Sequence, residues 1–164
     1  MTQVMTNPLG SKADGITPGL VCFVCTGNIC RSPMAAAVFN HLAIERNLPM
    51  RAVSAGLYVT RLDISDGAIL ALEAAGIPST PGNNYRAHIA ASMNAALAMR
   101  CERIVGITSS HALELMARFP QYAGKITAMP HDVSDPWGGS TARYEACLAE
   151  ITAGIKKEFF HDDP

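Results

Sequence analysis

Residues 21–33, Val-Cys-Phe-Val-Cys-Thr-Gly-Asn-Ile-Cys-Arg-Ser-Pro, constrain the fold of this chain more than any other stretch. The first four residues are apolar and include β-branched and aromatic side chains, a pattern that predicts a buried strand. Gly27 and Asn28 follow, and both residue types tolerate backbone angles that other residues avoid. Pro33 stands where a helix would begin, and good helix formers come after it. The stretch therefore predicts a strand, a tight loop and a helix in direct succession.

Strand and helix patterns alternate along the rest of the chain. Strands are expected at residues 20–25, 51–54, 103–108 and 125–129, and helices after Pro33 and at about 66–75 and 89–100. A further helix is expected to be capped by Ser109 or Ser110 and to end near Phe119, and a last helix carries apolar residues from Tyr144 to Phe159 on one face. The order βαβααβαβα predicts an α/β fold with three layers, in which a four-stranded parallel sheet carries helices on both faces. Residues 19–164 are expected to form a single domain. Residues 1–18 show no periodicity and are expected to be a disordered tail.

Composition excludes several classes of protein. The formal net charge of −1 provides no basic field for nucleic acid, and no apolar run approaches the length of a membrane span. The N-terminus has no signal-peptide pattern, so the protein is expected in the cytoplasm. Five cysteines form no secreted disulfide framework and suit a reducing compartment. The sequence specifies no oligomeric state, no cofactor and no set of metal ligands.

The loop after the first strand is expected to bind a phosphate-like anion. Its backbone N–H groups converge and the following helix adds positive potential; the amides come from Thr26, Gly27, Asn28, Ile29, Cys30 and Arg31. Cys25 lies in that field, which favours the thiolate, and is therefore the expected nucleophile. The planar guanidinium of Arg31 suits two phosphoryl oxygens. Ser32 is expected to donate a hydrogen bond to the thiolate when it departs.

A general acid is expected from the loop of residues 130–140. This loop follows the fourth strand and so emerges at the same carboxyl edge of the sheet as the anion-binding loop. A phosphocysteine intermediate requires a proton for the departing group, and Asp135 is the best donor in the loop. Asp132 is the weaker candidate. Trp137 is expected to form an aromatic wall beside Asp135.

Three motifs resemble those of the low-molecular-weight protein tyrosine phosphatases in order and spacing. They are residues 24–35, the triplet Ser54-Ala55-Gly56, and the pair Asp135-Pro136, and the resemblance covers about residues 20–160. It implies hydrolysis of phosphotyrosine in proteins in two steps without a metal or cofactor. In that mechanism Cys25 is the nucleophile and Arg31 binds phosphate. Asp135 protonates the leaving group and then activates water.

The resemblance implies further roles. Asn28, Ser32, Ser54 and His88 match a hydrogen-bonded network that supports the loop in the family. Cys30 matches a second loop cysteine, which in the family closes a reversible disulfide with the nucleophile and guards it from over-oxidation. The remaining cysteines, Cys22, Cys101 and Cys147, are expected to be packing residues.

Ile29, Tyr58 and Trp137 are expected to wall the substrate pocket. Tyr58 and Arg61 follow the second strand, and plain surface positions are an equal alternative for both. The chain departs from the family at Ala36, at residues 106–108, and at Trp137-Gly138, which replaces the family's paired tyrosines. Related bacterial arginine phosphatases carry threonine where this chain has Ile29. An apolar wall suits an aromatic ring, so Ile29 favours phosphotyrosine.

Three other functions remain open as alternatives. Protein arginine phosphatase activity is the first, and thiol-dependent arsenate reduction is a less favoured second. Arsenate reduction requires further redox cysteines close together, whereas Cys101 and Cys147 are far apart in the sequence. A non-catalytic phosphate-binding or interaction module is the third, although such a module would not require both a cysteine and an opposing acid.

Overall fold

The computed structural model of the chain describes residues 15–161. Most of the predicted tail, residues 1–14, lies outside the described residues. Its last residues pack against the domain, because Thr17 is buried and its backbone N–H donates to the carbonyl of Arg100 at 2.8 Å. The packed part of the chain therefore begins before residue 19.

Four parallel strands form one sheet in the order β2-β1-β3-β4. The strands are β1 (Leu20–Cys25), β2 (Arg51–Gly56), β3 (Arg103–Gly106) and β4 (Ile126–Ala128). The helices are α1 (Arg31–Glu45), α2 (Asp66–Ala74), α3 (Ala95–Arg100), α4 (Ser109–Arg118) and α5 (Thr141–Ile155). A π-helical turn, Lys156–Phe160, continues α5, and short 3₁₀ turns span Tyr85–Ala87 and Pro120–Lys125. The predicted α/β fold with a four-stranded parallel sheet is confirmed.

Strand β1 is buried along its whole length because both faces of the sheet are covered. Val21, Phe23 and Cys25 join the core that contains buried residues of α1, α2 and α5. Leu20, Cys22 and Val24 join a second core with residues of α3 and α4. The strand order puts β1 between β2 and β3, so Cys25 at its end lies at an internal position of the carboxyl edge of the sheet.

Residues 89–94 are not helical, which corrects the predicted helix over 89–100. Gly56 at the end of β2 exchanges backbone hydrogen bonds with this segment: its N–H donates to Ala91 and its carbonyl accepts from Met93. Asn94 then caps α3, since its side chain accepts from the Leu97 N–H at 2.8 Å. Pairing with β2 therefore outweighs the helix propensity of this alanine-rich segment.

Two helix starts also differ from expectation. Helix α1 begins at Arg31, so Pro33 lies in its first turn, where a missing N–H costs nothing. Helix α4 is capped by Thr108 rather than by Ser109 or Ser110. Gly106 at the end of β3 allows α4 to approach the strand closely, since a Cβ there would lie 2.6 Å from the backbone nitrogen of Ala112 in α4.

Candidate active site

The loop between β1 and α1 is held in shape by Asn28. This residue has a φ of 59°, in the left-handed region that asparagine tolerates better than most residues. Its buried side-chain amide donates to the hydroxyls of Ser32 at 2.8 Å and Ser54 at 2.9 Å. Its side-chain oxygen accepts from the N–H of Ala91 at 3.0 Å. The side chain therefore links the loop, α1, β2 and the segment before α3.

His88 completes this network from a distant part of the chain. Its Nε2 lies 2.7 Å from the backbone carbonyl oxygen of Asn28 and donates to it. Burial lowers the pKa of His88, which favours the neutral ring, with its proton on Nε2. The structure thus brings together Asn28, Ser32, Ser54 and His88, the four residues expected to support the loop.

The sulfur of Cys25 lies at the end of β1 and faces a small open cavity of about 170 Å³. The whole loop of residues 25–31 lines this cavity, together with Tyr58, Thr60, Arg61, Asp135 and Trp137. Cys25 is 3% exposed, and its Sγ lies 2.9 Å from the hydroxyl oxygen of Ser32. The cavity therefore brings Cys25, the backbone of the loop and the exposed carboxylate of Asp135 to one place.

Arg31 connects the loop to the segment that carries the candidate acid. Its Nη1 donates to the carbonyl oxygen of Val133 at 2.9 Å, and its Nη2 lies 3.9 Å from Oδ2 of Asp135. The guanidinium is buried, whereas the side chain of Asp135 is 56% exposed and its Oδ1 accepts from the N–H of Trp137 at 3.0 Å. Arg31 and Asp135 therefore lie on the same cavity with the carboxylate open to solvent.

The other candidate acid, Asp132, lies outside this cavity. Its Oδ1 accepts from the backbone N–H of Ser109 at 2.8 Å and from the hydroxyl of Ser109 at 3.0 Å. These hydrogen bonds lower the pKa of Asp132. Asp132 does not line the cavity, so geometry favours Asp135 over Asp132 as the proton donor.

Two aromatic side chains stand at the mouth of the cavity, each beneath an arginine. The guanidinium of Arg61 lies 5.0 Å from the ring centroid of Trp137, and that of Arg118 lies 4.8 Å from the ring of Tyr58. Trp137 is 49% exposed and Tyr58 is 58% exposed. Ile29 also lines the cavity, so the three expected wall residues share one site with Arg61.

Cys30 is buried beside the nucleophile candidate. Its sulfur donates to the hydroxyl oxygen of Ser65 at 3.2 Å and lies 3.4 Å from the hydroxyl of Tyr144. Burial raises the pKa of Cys30, so this residue rests as a neutral thiol. All five cysteines of the chain are free thiols.

Cys101 has a partner that the sequence did not reveal. Its thiol lies close to that of Cys22, and the interaction of the two thiols, followed by burial, raises the pKa of Cys22. Both residues are buried, as expected for packing residues, in the core that contains α3 and α4. Cys25 belongs to the core on the opposite face of the sheet. The pair is therefore not arranged beside Cys25 as an arsenate reductase relay would require.

His111 is a site neighbour that sequence reasoning missed. Its Nε2 lies 2.9 Å from the hydroxyl oxygen of Thr26, the residue after Cys25. The available signal was the spacing Thr108-x-x-His111 at a helix start, which resembles a capping box with histidine in place of glutamate. The sequence gives no sign of the contact because His111 lies 85 positions after Thr26.

Residues 15–161 contain no cluster of three or more histidine, cysteine or carboxylate side chains that could hold a metal ion. Among the same residues, no helix is long and apolar enough to cross a bilayer.

Known proteins resemble this chain in sequence and in fold. The family model for low molecular weight phosphotyrosine protein phosphatase matches residues 20–161. A protein-arginine-phosphatase of Bacillus subtilis is 28% identical over 84% of this chain and 97% of that protein. A low molecular weight protein-tyrosine-phosphatase of Streptomyces coelicolor is 31% identical over 81% of this chain and 87% of that protein.

A crystal structure of a low molecular weight protein tyrosine phosphatase from T. tengcongensis superposes with a TM-score of 0.78. It is 29% identical and covers 87% of this chain and 99% of that one. The family match spans nearly every residue that the structure describes, including the loop, Arg31 and Asp135. This chain therefore belongs to the low molecular weight phosphotyrosine protein phosphatase family and is a cysteine-dependent protein phosphatase.

Proposed function

We propose that this protein hydrolyses phosphotyrosine in proteins through a phosphocysteine intermediate on Cys25. The observation that carries the proposal is the shared cavity, in which the Cys25 sulfur, the Arg31 side chain and the Asp135 carboxylate meet the anion-binding loop. A thiolate, a planar cation and a proton donor are the three groups that transfer of a phosphoryl group to sulfur requires.

In the first step, the loop amides and Arg31 bind the phosphoryl oxygens. The Cys25 thiolate attacks phosphorus, forming the S–P bond while the bond from phosphorus to the phenolic oxygen breaks. Asp135 gives its proton to that oxygen, and the dephosphorylated tyrosine leaves. Asp135 is then a carboxylate, and its exposed position beside the cavity allows a water molecule to approach.

In the second step, Asp135 takes a proton from water as the water oxygen attacks phosphorus. The S–P bond breaks, and the Cys25 thiolate departs. The Ser32 hydroxyl, 2.9 Å from the sulfur, donates a hydrogen bond to that thiolate. Inorganic phosphate then leaves, and Asp135 is again protonated for the next cycle.

The walls of the cavity support an aromatic substrate. Ile29 offers an apolar surface, and Tyr58 and Trp137 offer exposed rings at the mouth. Arg61 stacks on Trp137 and places a positive charge where a substrate side chain would enter. That charge favours a neutral phenol over the cationic guanidinium of arginine.

Phosphoarginine is the second candidate substrate. Relatives from Bacillus subtilis and Geobacillus stearothermophilus, 28% and 29% identical to this chain, are named protein-arginine-phosphatases. Their similarity extends over most of this chain, so the choice between the two substrates depends on individual residues in the cavity, above all Ile29.

A paired assay tests both the mechanism and the substrate. Phosphate release is measured on two peptides that differ only in carrying phosphotyrosine or phosphoarginine, with wild type, Cys25→Ser and Ile29→Thr. We expect a higher kcat/KM on phosphotyrosine, complete loss in Cys25→Ser, and a shift of the ratio toward phosphoarginine in Ile29→Thr. Activity of Cys25→Ser would contradict the phosphocysteine mechanism. A preference of the wild type for phosphoarginine would contradict phosphotyrosine as the substrate.

The setting of the reaction is also part of the proposal. A thiolate nucleophile must stay reduced to act, and all five cysteines are free thiols. We therefore place the protein in a reducing compartment, the cytoplasm, where phosphorylated proteins are its partners.

A further inference from the structure

The first turn of α4 contacts both halves of the proposed active site, although it contributes no residue to the cavity. At one end of this turn His111 reaches Thr26 in the loop that follows Cys25, with 2.9 Å between Nε2 and the hydroxyl oxygen. At the other end Ser109 binds Asp132, three residues before Asp135. A single helix start thus touches the nucleophile's loop and the acid's loop.

The hydrogen bonds of His111 determine which nitrogen carries its proton. Nδ1 accepts from the backbone N–H of Thr108 at 3.2 Å, and the His111 N–H donates to the Thr108 hydroxyl at 3.2 Å, which closes the capping box. Since Nδ1 is an acceptor, the neutral ring carries its proton on Nε2 and donates it to Thr26. Burial and the nearby positive charge of Arg31 lower the pKa of His111 to about 4, so the ring is neutral near pH 7.

Thr26 is fixed from two sides as a result. Its side chain accepts from His111, and its carbonyl accepts from the N–H of Tyr58 at 2.8 Å. Thr26 directly follows Cys25, so these two bonds determine how the backbone leaves β1 and where the anion-binding loop begins. A shift of Thr26 would move the first amide of the loop and the carbon that carries the reactive sulfur.

Asp132 fixes the acid loop in an equivalent way. Its Oδ1 accepts two hydrogen bonds from Ser109, the first residue of α4. The next residue, Val133, accepts from Nη1 of Arg31 at 2.9 Å. The segment that leads to Asp135 is therefore held by α4 on one side and by the phosphate-binding arginine on the other.

The helix start is itself rigidly placed. Gly106 ends β3, and a Cβ at that position would come within 2.6 Å of the Ala112 nitrogen, so α4 rests directly on the strand backbone. The N–H of Ile107 donates to Val24 in β1 at 2.9 Å, and the N–H of Met129 donates to Gly106 at 2.9 Å. The turn thus has a fixed position relative to both β1 and β4, the strands that lead into the two loops.

We propose that the first turn of α4 sets the anion-binding loop and the acid loop in their working positions, with His111 and Asp132 as positioning residues. The inference rests on the proposed roles of Cys25 and Asp135 and is independent of which phosphorylated residue is the substrate. His111 acts through Thr26, and Asp132 acts through the loop of Asp135.

The test for His111 separates positioning from helix capping. His111→Glu retains an acceptor for the Thr108 N–H but cannot donate to Thr26 at neutral pH, whereas His111→Gln has an amide N–H that can. With p-nitrophenyl phosphate we expect kcat to fall roughly tenfold in His111→Glu, with a smaller loss in His111→Gln. Thr26→Val replaces the hydroxyl that contacts His111 by a methyl group and is folded if its melting temperature matches wild type. Its kcat should fall by about as much as that of His111→Glu.

A double-variant cycle then decides whether the bond itself matters. If His111 acts through Thr26, the double variant Thr26→Val with His111→Glu is no slower than either single variant. Losses that multiply in the double variant, or rates within twofold of wild type in both single variants, would overturn the role of His111.

Asp132 is tested by its effect on leaving groups. Asp132→Ala should misplace the proton donor Asp135. The hydrolysis of phenyl phosphate, whose phenol is a poor leaving group, should therefore slow at least several-fold more than the hydrolysis of p-nitrophenyl phosphate. Asp132→Asn keeps an oxygen that accepts from Ser109 and should restore most of the rate. Equal losses on both substrates would overturn this role. Cys25→Ser is the independent test of the proposed function: if it is active, the mechanism fails, whatever the α4 variants show.

Discussion

The sulfur of Cys25 and the hydroxyl oxygen of Ser32 lie 2.9 Å apart, although seven positions separate them in the chain. The contact forms because α1 begins at Arg31 and its first turn folds back over the end of β1. Ser32 accepts from the Asn28 side chain at 2.8 Å, which leaves its own proton for the sulfur or for the more distant Ala55 carbonyl at 3.4 Å. A Cys25 thiolate has no proton to donate, so in that state the Ser32 hydroxyl donates to the sulfur.

Ser32→Ala should therefore slow the second chemical step more than the first. The departing thiolate loses a hydrogen-bond donor, and removal of one such donor costs roughly a hundredfold in kcat where charge develops in a transition state. Rapid-mixing kinetics with p-nitrophenyl phosphate should show a burst of nitrophenol followed by a slower steady rate. Ser79→Ala, at a half-buried serine outside the cavity, is the matched control. A uniform slowing without a burst would contradict this role.

Asn28 should contribute to stability through both its backbone and its side chain. Asn28→Gly and Asn28→Ala lose the same buried hydrogen bonds, which we expect to cost about 1–3 kcal/mol. Alanine additionally must adopt a φ of 59°, at a further cost of about 1 kcal/mol. Urea unfolding monitored by the fluorescence of Trp137 measures both values. Equal stability of the two variants would show that the backbone relaxes at this position.

Asp135→Asn should show a strong dependence on the leaving group. An amide cannot supply the proton, so the kcat for phenyl phosphate should fall roughly 10²–10⁴-fold. The kcat for p-nitrophenyl phosphate should fall much less, because its leaving group needs little protonation. The steady-state rates of both substrates provide the measurement. Glu145→Gln on α5 removes an exposed carboxylate outside the cavity and serves as control. Equal losses on both substrates would argue against Asp135 as the acid.

Cys30 should protect Cys25 from irreversible oxidation. Peroxide converts the Cys25 thiolate to a sulfenic acid with release of hydroxide, and the Cys30 thiol then attacks that sulfur, forming the disulfide and releasing water. After brief peroxide treatment, we expect dithiothreitol to restore the phosphatase activity of wild type but to leave Cys30→Ser largely inactive. Peptide mass spectrometry should find the Cys25–Cys30 disulfide. Pairing of Cys25 with another cysteine, or sulfonic acid alone, would rule this role out.

The stability of the protein should rise with pH between about 4 and 6.5, partly through His111. The folded protein lowers the pKa of His111 to about 4, below its usual 6.5, so the unfolded chain binds more protons in this range. The contribution of this neutral histidine is complete above pH 6.5 and falls as the pH decreases toward 4. The unfolding free energy of His111→Gln should vary less with pH than that of wild type. Parallel profiles for the two proteins would show that His111 titrates normally. His88, whose pKa is also lowered, remains in both proteins and cancels in the comparison.

Local sequence signals accounted for the strand, loop and helix that carry Cys25 and Arg31. These signals act within a few residues: apolar residues that bury β1, an asparagine that accepts a left-handed angle, and a proline that suits a first helical turn. The alternation of strands and helices likewise predicted the parallel sheet, because parallel neighbours require crossovers. The same local reasoning predicted a helix at residues 89–94, where pairing with Gly56 prevails instead.

Contacts across long sequence separations were decided only by the tertiary structure. Thr26 and His111, 85 residues apart, meet because β1 and β3 are adjacent strands and α4 follows β3. The same applies to the thiols of Cys22 and Cys101 and to the arginines over Trp137 and Tyr58. Residue types and their local spacing determined which chemistry the chain carries. Sheet order and helix packing determined which distant side chains position it, because a hydrogen bond depends on distance in space and not on position in the chain.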